Sequence, residues 1–145
     1  MTTSACAGDR RPLPQPDDES RAYWEGARQH QLVILRCRSC GFYIHYPKRA
    51  CPRCAGNDIE PSRVSGHGVV HSFTICHHKG APGFEERVPF VVVLVELVEQ
   101  PGLRLVANIV GCDAGTVRIG MPVEVTFEDV SGDVTLPQFR PRASS

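Results

Sequence analysis

The sequence predicts a mainly β chain in which a short N-terminal helix leads into a small metal-stapled ribbon and then a closed barrel of five short strands. Three observations carry that prediction. Cysteines recur as Cys37-Arg-Ser-Cys40 and Cys51-Pro-Arg-Cys54. The chain that follows breaks into short apolar runs punctuated by Gly and Pro, at strand rather than helix length. Ahead of the cysteines, Ser20 to His30 holds Tyr23 and Trp24 among polar residues with no proline, which reads as a helix.

Met1 to Asp18 is rich in Pro, small and charged residues, including Pro12, Pro14 and Pro16, and is expected to be a flexible arm that cannot bury enough apolar surface to order itself. The helix is placed within residues 19–31, with Asp17, Asp18 and Glu19 where a helix N-terminus favours negative charge. So short a helix is unstable alone, and Tyr23 and Trp24 must dock on the chain's own ribbon or on a partner.

Residues 32–64 form the ribbon: Leu32 to Arg36 enters the first knuckle, Phe42 to Tyr46 leaves it, and Ile59 to Val64 follows the second. Two CxxC knuckles on facing turns place Cys37, Cys40, Cys51 and Cys54 at the corners of one tetrahedron, the arrangement of a single structural zinc ion. The ten-residue spacer between the pairs admits one strand and a tight turn. Gly41 and Gly56 stand where a knuckle needs positive φ or close backbone approach. Iron of the rubredoxin type would use the same four sulfurs and stays open as the metal. Disulfides need an oxidising compartment, and the first thirty residues hold no apolar stretch resembling a secretory signal, so the expected location is the reducing cytoplasm. Closed four-sulfur coordination leaves no open position, so the ion folds the chain and does not catalyse.

Residues 65–140 supply the barrel: Gly66-His67-Gly68 suggests a bulge or bend, and Val69 to Cys76, Phe90 to Val98, Leu103 to Val110, Val123 to Val130 and Val134 to Phe139 are strands. Five short strands with one glycine bend make an OB-type barrel the best closed architecture, and residues 141–145 are left as a tail. With 145 residues, 41% of them hydrophobic, the chain can hold one modest core plus the stapled module. Its longest apolar run, Phe90 to Val98, is interrupted by Glu96 and falls far below the roughly 18 residues that span a bilayer, so no membrane partner is expected. A formal net charge of +0 makes nucleic acid an unlikely partner, because such binding draws on clustered positive charge.

Candidate reactive groups are few. Cys76, His77 and His78 are adjacent, but neighbours on a strand point to opposite faces, so Cys76 and His77 are poorly placed as nucleophile and base. His67, His71 and His77 would share a face of a regular strand, yet positions four apart are roughly 13 Å distant, too far for one metal. Glu85 and Glu86 sit in a Gly- and Pro-containing loop, and Lys79 to Arg87 is a candidate contact segment. Cys6 and Cys112 have no partner visible in the sequence. No catalytic residue is assigned.

The ordered set Tyr23-Trp24-Glu25-Gly26, Leu35 to Gly41, Pro47, Cys51 to Cys54, Gly66 to Val70, Pro89 to Val92, Val110-Gly111-Cys112 and Ile119 to Val123 resembles the acyl-CoA-associated zinc-ribbon and OB-fold family, long catalogued as a domain of unknown function. The match runs from about residue 20 to 142. The resemblance implies a helical N-terminal segment, a rubredoxin-like ribbon and a C-terminal OB-fold. It also implies an accessory subunit of thiolase-like enzymes (thiolase, aldolase or acyl-CoA synthase complexes), hetero-oligomeric, which assists acyl-CoA binding or passage in lipid, steroid or aromatic acyl-CoA metabolism. The four cysteines match the family's metal ligands one by one. No short motif marks its CoA contacts, so physical chemistry nominates Arg36, Arg38, Lys48, Arg49 and Arg53 for the phosphates. The competing reading is a solvated ribbon whose arginines compensate thiolate charge. Tyr23, Trp24, Phe42, Tyr43 and Tyr46 are the candidate partner anchors. Other classes stay open: a nucleic-acid-binding ribbon and barrel, which the same arginines and aromatics could serve, and, less favoured, an independent acyl-CoA hydrolase.

Overall fold

The computed structural model describes residues 11–78, 83–84 and 86–143. Met1 to Arg10 with Cys6, the 79–82 stretch and Glu85 of the expected contact loop, and the last two residues of the tail lie outside the described residues. Helix α1 spans Arg21–Arg28. Strands β1 (Val33–Cys37), β2 (Tyr43–Ile44) and β3 (Ile59–Arg63) form a three-stranded antiparallel sheet in the order β2-β1-β3. Strands β4 (His67–Cys76), β5 (Phe90–Leu97), β6 (Arg104–Ile109), β7 (Pro122–Asp129) and β8 (Thr135–Pro141) close into a barrel in the order β4-β5-β6-β8-β7, with a 3-10 turn at Ala114–Thr116 before β7. The expected fold class, helix then ribbon then OB-fold barrel, is the one observed.

Strict alternation makes the barrel. In β5, Val91, Val93, Val95 and Leu97 are buried while their neighbours are only half-buried, the period of a strand with one face on a core. These side chains meet Val70, Leu105, Ile109, Val123 and Phe139 in the main core, which also takes in Leu32 and Ile34 from the ribbon side. Closure is narrow: β6 and β8 share the parallel pairing Ile109↔Phe139, with the Val110 N–H donating to the Phe139 carbonyl at 2.8 Å. Helix α1 abuts both β1 and β8.

Two glycines make the entry to β4 possible. A Cβ at Gly68 would lie 2.5 Å from the Glu96 carbonyl oxygen, and Gly66 combines φ +82 with a side chain of Val125 where its Cβ would go. They permit close approach, and the bulge itself falls later, where the β4/β5 register shifts between Val70 and Ser72. That shift places His71 in the irregularity, so the regular face expected to carry His67, His71 and His77 does not form.

One residue of the expected arm is held. From Arg11 onward it is placed, and Arg11 itself is buried against the barrel with its guanidinium on Glu128. A charge partner far along the chain gives no local signal. Asp17 and Ser20 exchange hydrogen bonds, the Ser20 N–H to Asp17 Oδ1 at 2.8 Å and the Asp17 N–H to Ser20 Oγ at 3.1 Å, which closes the turn leading into α1; Ser20, the N-cap, makes no side-chain cap bond to the helix. The Ser20 N–H, followed by its hydroxyl, holds the Asp17 carboxyl below its ordinary value.

Candidate metal centre and partner surface

The two knuckles are copies of one backbone device. In the first, Gly41 N–H donates to the Cys37 carbonyl and Cys37 N–H to the Phe42 carbonyl; in the second, Ala55 N–H donates to Cys51 and Cys51 N–H to Gly56, all at 2.8–2.9 Å. Superimposing the two makes Ala55 the counterpart of Gly41, and both have positive φ, +64 and +81. The left-handed residue of the second knuckle is therefore alanine, and Gly56 serves close approach, since a Cβ there would sit 3.2 Å from the Cys54 sulfur.

These turns converge Cys37, Cys40, Cys51 and Cys54 so that all four sulfurs lie within 4.8 Å of one another. The Cys37–Cys54 and Cys40–Cys51 sulfur distances are 3.6 Å. Four thiolates at about 2.3 Å from a central ion would stand about 3.8 Å apart, so the donor set fits a tetrahedral ion. Arg53 N–H points at the Cys51 sulfur and Gly56 N–H at the Cys54 sulfur, each at 3.4 Å. The thiols differ in acidity. The Cys40 backbone N–H is the main influence lowering Cys37 to about 7. Cys54 has a Gly56 N–H that favours its thiolate, yet the neighbouring thiols of Cys37 and Cys40 push it up to about 11. Crowded thiolates resist ionising together, and a divalent cation relieves that conflict. Cys37 and Cys51 are buried, with Ile44, in a small core of their own.

Most of the candidate phosphate cations meet groups on the chain itself. Arg36 donates to the Gly41 carbonyl at 2.9 Å and lies over the Tyr43 ring. Arg38 faces Asp58 and Glu60 at 3.9 and 3.8 Å, and Arg53 stands over Phe42. Arg49 pairs with Glu19 at 2.9 Å. Lys48 shares with Arg49 a surface hollow that Asp18 and Glu19 also line.

The aromatics divide. Tyr23 and Tyr43 pack on the main core, and Phe42 packs on the cysteine core. Burial, with Tyr46 nearby, pushes the Tyr23 hydroxyl up. Tyr46 is 63% exposed. Trp24 meets Tyr23 edge-on at 4.9 Å and lines an open groove of about 340 Å³ with Phe84, Phe90, Val92, Val106, Leu136 and Pro137. Val106, 53% exposed, is the most open of these walls. Gly26 lets α1 lie against β1, because a Cβ there would meet Val33 Cγ2 at 2.5 Å.

Sequence reasoning missed the joint between ribbon and barrel. The Gln100 amide accepts from the Tyr43 N–H at 2.9 Å and donates to the Tyr43 carbonyl at 3.0 Å, while Glu99 accepts from the Ser65 N–H at 2.8 Å. Nothing in the local pattern announces such pairings, which span 57 and 34 residues. His45 was missed too. It sits between Tyr23 and Tyr46, and burial lowers its pKa to about 4. An unfolded histidine titrates near 6.5, so between those values the unfolded chain takes up the proton. Stability is full above about pH 6.5 and falls as the pH drops toward about 4. The stability lost on titrating from pH 7 to 4 should be smaller in His45→Phe by on the order of 3 kcal/mol. Denaturant melts of both proteins at the two pH values check this, and equal acid sensitivity would refute it.

Among the described residues the polar contact of the Cys76 thiol is the His78 carbonyl at 3.9 Å, and no histidine ring bonds it. No helix is long and apolar enough to cross a membrane among the described residues.

Comparison with known proteins agrees with this geometry. A family model described as "ChsH2, rubredoxin-like zinc ribbon domain" matches residues 24–60, and one described as "ChsH2, C-terminal OB-fold domain" matches residues 62–128. A "DUF35 domain-containing scaffold protein" of Methanocaldococcus jannaschii is 33% identical over 76% of this chain and 77% of its own length. A "Probable enoyl-CoA hydratase alpha subunit" of Thermomonospora curvata is 40% identical over 90% of this chain, and the "3-oxo-4,17-pregnadiene-20-carboxyl-CoA hydratase alpha subunit" of Mycobacterium tuberculosis is 36% identical over 80%. The chain spans only 40% and 36% of the length of those two relatives. A solved chain titled "Ltp2-ChsH2(DUF35) aldolase" superimposes with a TM-score of 0.80 at 40% identity, covering 88% of this chain and 98% of that one.

Proposed function

The chain belongs to the ChsH2 (DUF35) family of zinc-ribbon and OB-fold proteins, and on that premise we propose that it is a noncatalytic zinc-stapled subunit of a thiolase-like acyl-CoA enzyme complex. The observation that carries this reading is the near-complete likeness to the chain titled "Ltp2-ChsH2(DUF35) aldolase". The relatives named as hydratase alpha subunits support an acyl-CoA setting. Cys37, Cys40, Cys51 and Cys54 hold zinc, which supplies cross-linking of two turns and no reactive position. The described residues offer no paired nucleophile and base, which suits a subunit that positions or passes acyl-CoA for a partner's chemistry. Such a complex works in cytoplasmic lipid, steroid or aromatic acyl-CoA metabolism.

The groove around Trp24 is the contact surface in this reading, with Tyr46 a further exposed anchor on the ribbon. Arg36, Arg38, Lys48, Arg49 and Arg53 are the candidate cations for the CoA phosphates in this reading, against a solvated ribbon whose arginines compensate thiolate charge. The test is co-expression with a thiolase-like protein encoded beside this chain, followed by size-exclusion chromatography and acyl-CoA turnover. A complex and altered turnover are expected, with no turnover by this chain alone. Trp24→Ala should weaken assembly about tenfold or more, the usual cost of truncating a central aromatic anchor, while shifting the melting temperature far less. Absence of both a complex and a turnover change would end the subunit reading. Turnover by the lone chain that vanished in Cys76→Ala would put a hydrolase in its place.

A further inference from the structure

We propose that the barrel carries a recognition site for an arginine side chain on an extended, proline-flanked segment, and that Arg11-Pro12-Leu13-Pro14 of this chain is its occupant in cis. Arg11 forms one side of a cleft of about 310 Å³ whose other walls include Phe84, Pro89, Phe90, Ile109 and Val110, so open space adjoins the seated guanidinium. Its polar floor is Glu128, which accepts from Arg11 Nη2 at 2.7 Å on one oxygen and from Gln138 Nε2 at 3.3 Å on the other. The Arg11 side chain is 5% exposed and Gln138 is equally buried. Gln138 is itself held by accepting from the Asn108 N–H at 2.8 Å, so the carboxylate is fixed from the barrel side before any guanidinium arrives. Arg87 approaches the same carboxylate at 4.0 Å. Burial would raise the Glu128 carboxyl, but the Arg11 hydrogen bond and charge outweigh it and the net direction is down.

Two features separate this from ordinary packing. A buried ion pair is a poor way to pin an arm, since an apolar side chain would avoid the desolvation cost, whereas a guanidinium on a carboxylate gives chemical selectivity. In the stretch that follows, Pro12, Leu13, Gln15 and Pro16 are exposed, and residues 12–16 form no helix or strand. Prolines at 12 and 14 pre-extend the backbone and reduce the ordering cost of presenting the arginine. Arg11 thus resembles a tethered ligand, with the advantage of high effective concentration over any competitor in trans. Phe84, Phe90, Asn108 and Gln138 line both this cleft and the Trp24 groove, so an arginine-bearing segment docking beside Trp24 could exchange with Arg11.

The experiment adds the peptide Arg-Pro-Leu-Pro-Gln-Pro, copied from residues 11–16, to the full chain and follows binding by calorimetry or amide NMR. Arg11→Ala should bind it with a submillimolar Kd, at least tenfold tighter than the wild-type chain, whose own arginine competes. Adding Glu128→Gln to that variant should abolish binding, and a peptide beginning with lysine should bind more weakly. No binding to folded Arg11→Ala at millimolar peptide, equal binding to the wild type, or binding that survives Glu128→Gln would each overturn the proposal. Should Arg11→Ala not fold, side-chain NMR of the wild type decides: one guanidinium with slowed rotation that is freed in Glu128→Gln supports the site, and a freely rotating Arg11 refutes it.

Discussion

Cys40→Ser is expected to lose its metal and to unfold the ribbon, with damage that reaches the barrel. Structural zinc contributes roughly 10–16 kcal/mol of apparent binding free energy in small ribbons, as much as the net stability of a whole domain, about 5–15 kcal/mol. The ribbon cannot replace that from its own core, which consists of Cys37, Cys51 and Ile44 with a few half-buried neighbours. Damage spreads because Leu32, just before β1, and Ile34, within it, are buried in the barrel core. The melting temperature should therefore drop by more than about 10 °C, and protection of ribbon amides from exchange should vanish. Metal analysis with a thermal scan checks both. A metal-free protein melting like the wild type would contradict the assignment, whereas iron in place of zinc would change only the identity of the ion.

Phe139→Ala should cost about 3–5 kcal/mol in denaturant melts, the range for removing a fully buried aromatic ring. Phe139 has 0% exposure, and its backbone is the rung on which β6 and β8 meet. The cavity would open where the barrel has least hydrogen bonding to hold it shut. Val106→Ala, on the exposed wall of the Trp24 groove, is the matched control and should change stability by less than about 0.5 kcal/mol. A Phe139→Ala loss no larger than the control's would mean that the seam is not closed as described.

The contrast between what was and was not legible in the sequence follows from range. The CxxC pairs write a tetrahedral site into a stretch of 18 residues from Cys37 to Cys54, and β5 displays its buried face by alternation. β4 starts two residues before its expected bound, and close approach at Gly68 need not coincide with a bulge at His71. The positive φ of the second knuckle falls on Ala55, a residue type that does not advertise it. Arg11, His45 and Gln100 act through partners that are distant in sequence or on another element, and composition describes their surroundings as arm, strand and turn.

The Gln100 amide has a consequence for how this protein keeps company with itself. Strand β2 is two residues long and lies at the rim of its sheet, where bare backbone groups are a template for a neighbouring chain. By holding both the N–H and the carbonyl of Tyr43, one side chain takes the place of a further strand and leaves that rim nothing to offer. Another copy of this chain therefore finds no open backbone pair at Tyr43 on which to add a strand.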